Sequence, residues 1–266
     1  MSNDDVHFER DPKDERLWTV ILSNPEKRNT LTPSMLNKLS EFLRNREWRE
    51  NIRVLVLRGE GKIAFSAGYD ISKIKFSSEE GAEEASSTIL YRALREIEDF
   101  PAPVIGMING FCVGAGCHLA VSLDLRIACE EAKLGITPAK IGIVYHPEGI
   151  GHFIKLIGAS KTKELFYTGK LYSAEEAKAM GLVDYVVPSE KLEETVYEMA
   201  EQIASNSPLS VQGTKYIVNG WNRSVVMDFE ARQHAMKLRQ EAFLSEDYAE
   251  GRKAFSERRK PVFKGQ

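Results

Sequence analysis

Apolar and polar positions alternate along this chain in blocks of two kinds. LWTVILS, from Leu17, and VLVLRG, from Val54, are short apolar runs closed by turn-forming or polar residues, which predicts buried strands. Between them SNPEKRN supplies a turn. Thr32 followed by Pro33 predicts an N-cap and a first-turn proline for the helix SMLNKLSEFLRNREW, in which Leu36, Leu39, Phe42 and Leu43 fall on one face. This strand, helix, strand order is a βαβ unit. Residues 85 to 99 repeat apolar positions with helical period and stop at FPAP, and PVIGMING then reads as a strand. GAGCHLAVSLD reads as a helix and LRIAC as another strand. Alternation that continues to about Ile141 predicts an α/β fold with a mostly parallel sheet covered by helices.

After Gly149 the pattern changes. HFIKLIG, SKTKELFYTG, SAEEAKAMG and EKLEETVYEMAEQIASN have helical character, several closed by glycine, with one apolar run, LVDYVVP, among them. From Asp228 to Lys260 dense mixed charge with apolar residues at helical spacing predicts one long helix packed on a neighbour. With no repeat and no low-complexity linker, the expected organisation is a core domain, residues 1–200, and a helical C-terminal region, residues 201–266.

Composition narrows the partners. A chain of 266 residues, 42% hydrophobic and 28% charged, is globular and long enough to bury a sizeable core. A formal net charge of −3 gives no reason to expect nucleic acid or an anionic membrane as partner, so any anion must be captured locally. Cys112, Cys117 and Cys129 lack the paired spacing of a zinc site or disulfide framework, which favours a reducing, cytoplasmic setting. The opening MSNDDVHFERDPKDER is charged and acidic, unlike a signal or transit peptide, and no stretch approaches ~18 uninterrupted apolar residues.

Two loops stand out, because each follows an apolar strand and places small residues at the start of a helix: AFSAGYDISKI, residues 64 to 74, and INGFCVGAGCHLA, residues 108 to 120. Glycine lets a backbone approach a ligand closely, and a helix N-terminus directs unpaired N–H groups at negative charge. A dinucleotide fingerprint does not fit: GFCVGAG lacks the GxGxxG spacing, and no suitable acidic residue ends a following strand.

SAGYD resembles the SAG-x-D loop of the crotonase (enoyl-CoA hydratase/isomerase) superfamily, and NGFCVGAGCHLAVSLDLRIA resembles its glycine-rich loop and helix. NPEKRNTLT, LGITPAKIGI, FYTGKLYSAEEAKAMGLVDYVVP and EDYAEGRKAFSERRKPVF also match, so the resemblance covers nearly the whole chain. It implies a crotonase-like spiral of ββα repeats with a helical C-terminal trimerisation region. It also implies an acyl-CoA substrate, no cofactor beyond coenzyme A, and a homotrimer or dimer of trimers. By position, the oxyanion-hole donors would be the backbone N–H groups of Tyr69 and Ala115, the latter where glycine is common. The resemblance places CoA contacts at Lys27 and Arg28, at Ala67, Tyr69, Asp70, Ile71 and Gly114 of the two loops, and at Phe255 and Arg258, which match positions reaching a neighbouring subunit's CoA.

Hydratases of this superfamily use two glutamates; here His118 stands at the first position and Pro138, after Thr137, at the second. Water addition needs one group to deprotonate water and another to protonate the α-carbon, so the familiar machinery is missing. Thr137, Pro138 and then Tyr145 resemble the methylmalonyl-CoA decarboxylases of the superfamily, in which a tyrosine here lies beside the substrate carboxylate. Two residues depart from that pattern, Tyr69 in place of a histidine and His118 in place of a glutamate. The leading expectation is decarboxylation of a malonyl-type thioester, with Tyr145 orienting the carboxylate and His118, His146 or a water protonating the enolate. The alternatives are a hydratase or isomerase recruiting His118, His146 or Glu148, and a non-catalytic CoA-binding protein. His7, His152 and His234 read as structural.

Overall fold

The computed structural model describes residues 5–45, 51–69, 82–223 and 229–264. Its strands separate into two sheets. The larger contains, side by side, β1 (Asp5–Arg10), β2 (Leu17–Ser23), β3 (Val54–Gly59), then β5 (Val104–Ile108), β7 (Leu125–Cys129) and β10 (Tyr185–Val187). From β2 to β10 neighbouring strands are parallel, Leu17 beside Val54, Leu55 beside Val104 and Ile105 beside Leu125. Both faces are covered, which is why these strands read as continuous apolar runs. The smaller sheet holds β4 (Ala64–Ser66), β6 (Phe111–Val113), β8 (Lys133–Gly135) and β9 (Tyr172–Ser173).

Helix α1 (Pro33–Arg44) begins as the sequence predicts: the Thr32 hydroxyl accepts the Met35 N–H, a cap worth about 1 kcal/mol. Met35, Leu36, Leu39, Phe42 and Leu43 are buried, so the apolar stripe faces the core. Strands β3 and β4 precede α2 (Ala82–Asp99), and β5 and β6 precede α3 (Ala115–Val121). In these pairs and in β7 and β8 the first strand joins the larger sheet and the second the smaller. That is the expected ββα spiral. Helix α3 packs on β4, β6 and α4 (Pro147–Thr168), while α5 (Ala174–Ala179) lies beside β9. Helix α6 (Leu192–Ala204) sits across β2, β3, β5 and β7, burying Leu192, Val196, Ala200 and Ala204 at i, i+4 spacing.

The structure corrects the sequence reading at three places. Strands β4, β6 and β8 fall in segments expected as loops or left unassigned; each has three residues, too few to display a period of two. Strand β1, in the charged N-terminal segment, is an edge strand antiparallel to β2, where one face can stay polar. The expected long C-terminal helix is two, α8 (Phe229–Leu244) and α9 (Glu246–Ser256), following α7 (Pro208–Arg223). Ser245 accepts the Tyr248 N–H, and with Glu246 and Asp247 behind it a new helix starts there. No helix among the described residues is long and apolar enough to cross a membrane.

Candidate active site

Parallel pairing of β4 with β6 sets the two glycine loops side by side, because both leave the same end of the smaller sheet. Their approach is close: a Cβ built on Gly68 would meet the Val113 carbonyl oxygen at 2.8 Å and the Ala115 nitrogen at 3.2 Å. Gly68 has φ 101° and Gly114 φ 57° with ψ −127°, backbone states that side chains other than hydrogen rarely adopt. Gly114 is the N-cap of α3 and provides no side-chain cap for the first-turn N–H groups, of which Ala115 carries the first.

The first loop is also tied to the NPEKRN turn. Ala67 N–H donates to the Arg28 carbonyl at 2.9 Å, Leu31 N–H donates to the Gly68 carbonyl at 2.7 Å, and Leu31 bridges Tyr69 in parallel. Arg28 is held in the left-handed region, φ 53°, with its guanidinium 5.3 Å from the Phe111 ring centre. Lys27 precedes it at the exposed end of a single 3-10 turn. Asp70 and Ile71 lie outside the described residues.

His118 lies three residues after Ala115, hence one helical turn further along α3 on the same side, and is fully buried. Its Nδ1 is 3.1 Å from the Tyr145 hydroxyl and its Nε2 is 3.0 Å from His152 Nδ1. Tyr91 stands edge-on to His118 with ring centres 5.6 Å apart, and Phe153 closes another side at 5.7 Å. Gly149 permits this crowding, since a Cβ there would meet the Tyr91 hydroxyl at 2.5 Å and the Tyr145 ring at 2.6 Å. Burial, with His152 and His146 nearby, holds the His118 imidazole well below its usual pKa and therefore neutral. Burial likewise pushes the Tyr145 phenol up, so its hydroxyl keeps its proton.

The structure thus brings together Ala115, His118 and Tyr145. His146 is the N-cap of α4, its Nδ1 accepting the Glu148 N–H at 3.3 Å, with its ring 4.6 Å from that of Tyr91. Burial lowers its pKa to about 4. Glu148 is exposed and paired with Arg232 of α8. Phe255 lies in the last turn of α9, which packs on the 3-10 turn Pro138–Ile141, and Arg258 lies just beyond its end. His152, which reads as structural in the sequence, hydrogen-bonds His118 from 34 positions away, a separation no local motif reports. Among the described residues no group of His, Cys, Asp or Glu could hold a metal ion.

Alternate two-sheet ββα repeats carrying adjacent glycine loops define an acyl-CoA enzyme of the crotonase superfamily. The chain belongs to the Enoyl-CoA hydratase/isomerase family, which residues 13–266 match. It is 34% identical over 255 residues to the Bacillus subtilis (strain 168) protein named "Putative enoyl-CoA hydratase/isomerase YngF", covering 95% of this chain and 96% of that one. Among solved structures it is similar to methylmalonyl-CoA decarboxylase complexed with 2S-carboxypropyl CoA, with TM-score 0.89, 29% identity and all of both chains covered. It is also similar to an enoyl-CoA hydratase from Bacillus anthracis, with TM-score 0.74, 36% identity, and 98% and 99% of the chains covered.

Proposed function

We propose that the protein decarboxylates a malonyl-type CoA thioester of the methylmalonyl-CoA kind through an enolate held by the Tyr69 and Ala115 N–H groups. The observation that carries this reading is the neutral Tyr145–His118 pair one turn from Ala115, where the resemblance places a glutamate in the hydratases of the superfamily. A substrate carboxylate set perpendicular to the thioester plane leaves as CO₂, and the bonding pair becomes the enolate. Two preorganised donors stabilise its oxygen, about 3 to 4 kcal/mol for each donor removed. The Tyr145 hydroxyl donates to the carboxylate before cleavage, and the α-carbon of the enolate then takes one proton from a water, directly or through His118 or His146.

Lys27 and Arg28, beside the first loop, would meet the CoA phosphates, together with Phe255 and Arg258 of a neighbouring subunit. Helix α7 supports that assembly: Leu209, Tyr216 and Trp221 are 82%, 79% and 76% exposed, an apolar surface a homotrimer or dimer of trimers would cover. Residues 1–200 would then be the catalytic domain and 201–266 the assembly region. Three buried, unpaired cysteines fit a cytoplasmic setting. A hydratase or isomerase recruiting His118, His146 or Glu148 is the second reading, supported by the name of the Bacillus subtilis relative.

The test is CO₂ release from malonyl-, methylmalonyl- and ethylmalonyl-CoA, with crotonyl-CoA hydration in parallel. Release from at least one is expected, reduced about 10²-fold by Tyr145→Phe. Clean hydration without release would establish the second reading, and tight CoA binding without turnover a non-catalytic protein.

A further inference from the structure

The Tyr145–His118 pair is the inner end of a longer chain. His118 Nε2 meets His152 Nδ1 at 3.0 Å, and His152 Nε2 faces Glu98 Oε1, at the end of α2, at 3.7 Å. At 3.7 Å the outer contact is slightly beyond hydrogen-bonding range, and the inference requires the Glu98 carboxyl to close it. The Glu98 backbone is anchored, its carbonyl accepting from Asn219 at 2.9 Å. Burial lowers the His152 pKa to about 4, so both imidazoles are neutral at pH 7 and carry one N–H each.

A neutral imidazole that donates at one nitrogen must accept at the other, so the two ends of this chain are linked. With Glu98 ionised, His152 donates from Nε2 to it, and His152 Nδ1 accepts the His118 Nε2–H. His118 Nδ1 then accepts the Tyr145 hydroxyl hydrogen, which is withdrawn from the site. With Glu98 protonated, every bond reverses. Glu98 donates to His152 Nε2, His152 Nδ1–H donates to His118 Nε2, and His118 Nδ1–H donates to the Tyr145 oxygen. The phenol hydrogen is left to point at the substrate.

We propose that His152 and Glu98 are positioning residues, in which the proton on Glu98 fixes the tautomer of His118 through His152 and so decides whether Tyr145 donates into the site. The inference rests on the reading above that Tyr145 faces the substrate. Glu98 is suited to the task, because its side chain is 27% exposed and exchanges protons with solvent while burial raises its pKa. The charges facing it oppose one another. Arg223 and Lys215 of α7 and Lys155 of α4 favour the carboxylate, and Asp99 of α2 favours the acid. Arg223 is itself paired with Asp99, and Lys215 with Asp124 at 2.7 Å. A network that served packing alone would leave kcat indifferent to that proton.

The test combines imidazole ¹⁵N spectra of the substrate-free full-length protein with kinetics, for wild type, Glu98→Gln and His152→Gln. In the wild type His118 and His152 should exchange Nδ1–H for Nε2–H together as pH rises through the Glu98 titration, neither ring gaining charge. In Glu98→Gln the His118 tautomer should no longer depend on pH. The rise and fall of kcat with the Glu98 proton should vanish with it, KM staying within about twofold. His152→Gln should lower kcat by on the order of tenfold or more. A His118 tautomer that follows pH identically in wild type and Glu98→Gln overturns the inference. The spectra need no substrate, so tautomer exchange in a protein that releases no CO₂ refutes the decarboxylase reading alone. CO₂ release with unchanged spectra refutes the positioning role alone.

Discussion

The two halves of the site are made of different materials. Around Gly68, Gly114 and Ala115 the proposed working groups are main-chain amides, placed by strand pairing and by glycine geometry. One turn further along α3 they are side chains, Tyr145, His118, His152 and Glu98, brought from the segment before α4, from α3, from α4 and from α2. Amides do not titrate, so the first half can only be present or displaced. The second half, on the inference above, changes its hydrogen-bond direction with a single proton. The proposed enolate chemistry would use the first half as a fixed counter-charge and the second as a hydrogen-bond donor.

Deleting one amide tests the first half most severely. Ala115 is the first residue of α3, where proline is tolerated because its φ suits a helix and its N–H has no intrahelical acceptor. Ala115→Pro should therefore keep the fold, measured by circular dichroism, and lower kcat for CO₂ release by about 10²- to 10³-fold. Gly116→Ala should come next. The added methyl would lie 2.5 Å from the Ser66 carbonyl oxygen, forcing α3 away from β4. A displacement of the donors costs about 10²-fold in rate, and overpacking costs about 1 to 3 kcal/mol in urea unfolding.

The side-chain half should reveal itself through pH. His118, His146 and His152 are held below their usual 6.5 in the folded chain, so below that pH the unfolded chain binds more protons. Stability should be full above 6.5 and fall as pH drops toward about 4, where His146 and His152 charge in the native state as well. Glu98, raised by burial, acts in the opposite sense from 4.5 upward, one group against three. A urea midpoint independent of pH between 4.5 and 6.5 would contradict the buried neutral cluster. The smallest effect is expected at Glu148. Its ion pair with Arg232 is exposed, and such pairs contribute less than about 1 kcal/mol. Glu148→Gln should change CO₂ release less than about threefold, whereas a hydratase that relied on Glu148 would lose activity.

Much of this architecture was legible in the chain. Thr32 and Pro33 announce α1, and the runs at Leu17, Val54 and Leu125 announce central strands, because burial on both faces leaves continuous apolar sequence. The two glycine loops and the exchange of carboxylates for His118 and Pro138 were equally visible, since each is a matter of residue type at one place. The three-residue strands of the smaller sheet were not, because they are specified by neighbours in space. Nor was the division at Ser245, where a local cap outweighs a helical pattern continuing on both sides.

Sequence alone determined the class of chemistry, because backbone cradles are encoded by glycine and helix-start residues that lie together in the chain. Tertiary structure alone decided the partners of His118. His152 and Glu98 come from α4 and from α2, and any role they share exists only because packing sets His152 within hydrogen-bonding distance of His118 and beside Glu98. Burial also made those imidazoles neutral, and burial is a property of the folded chain.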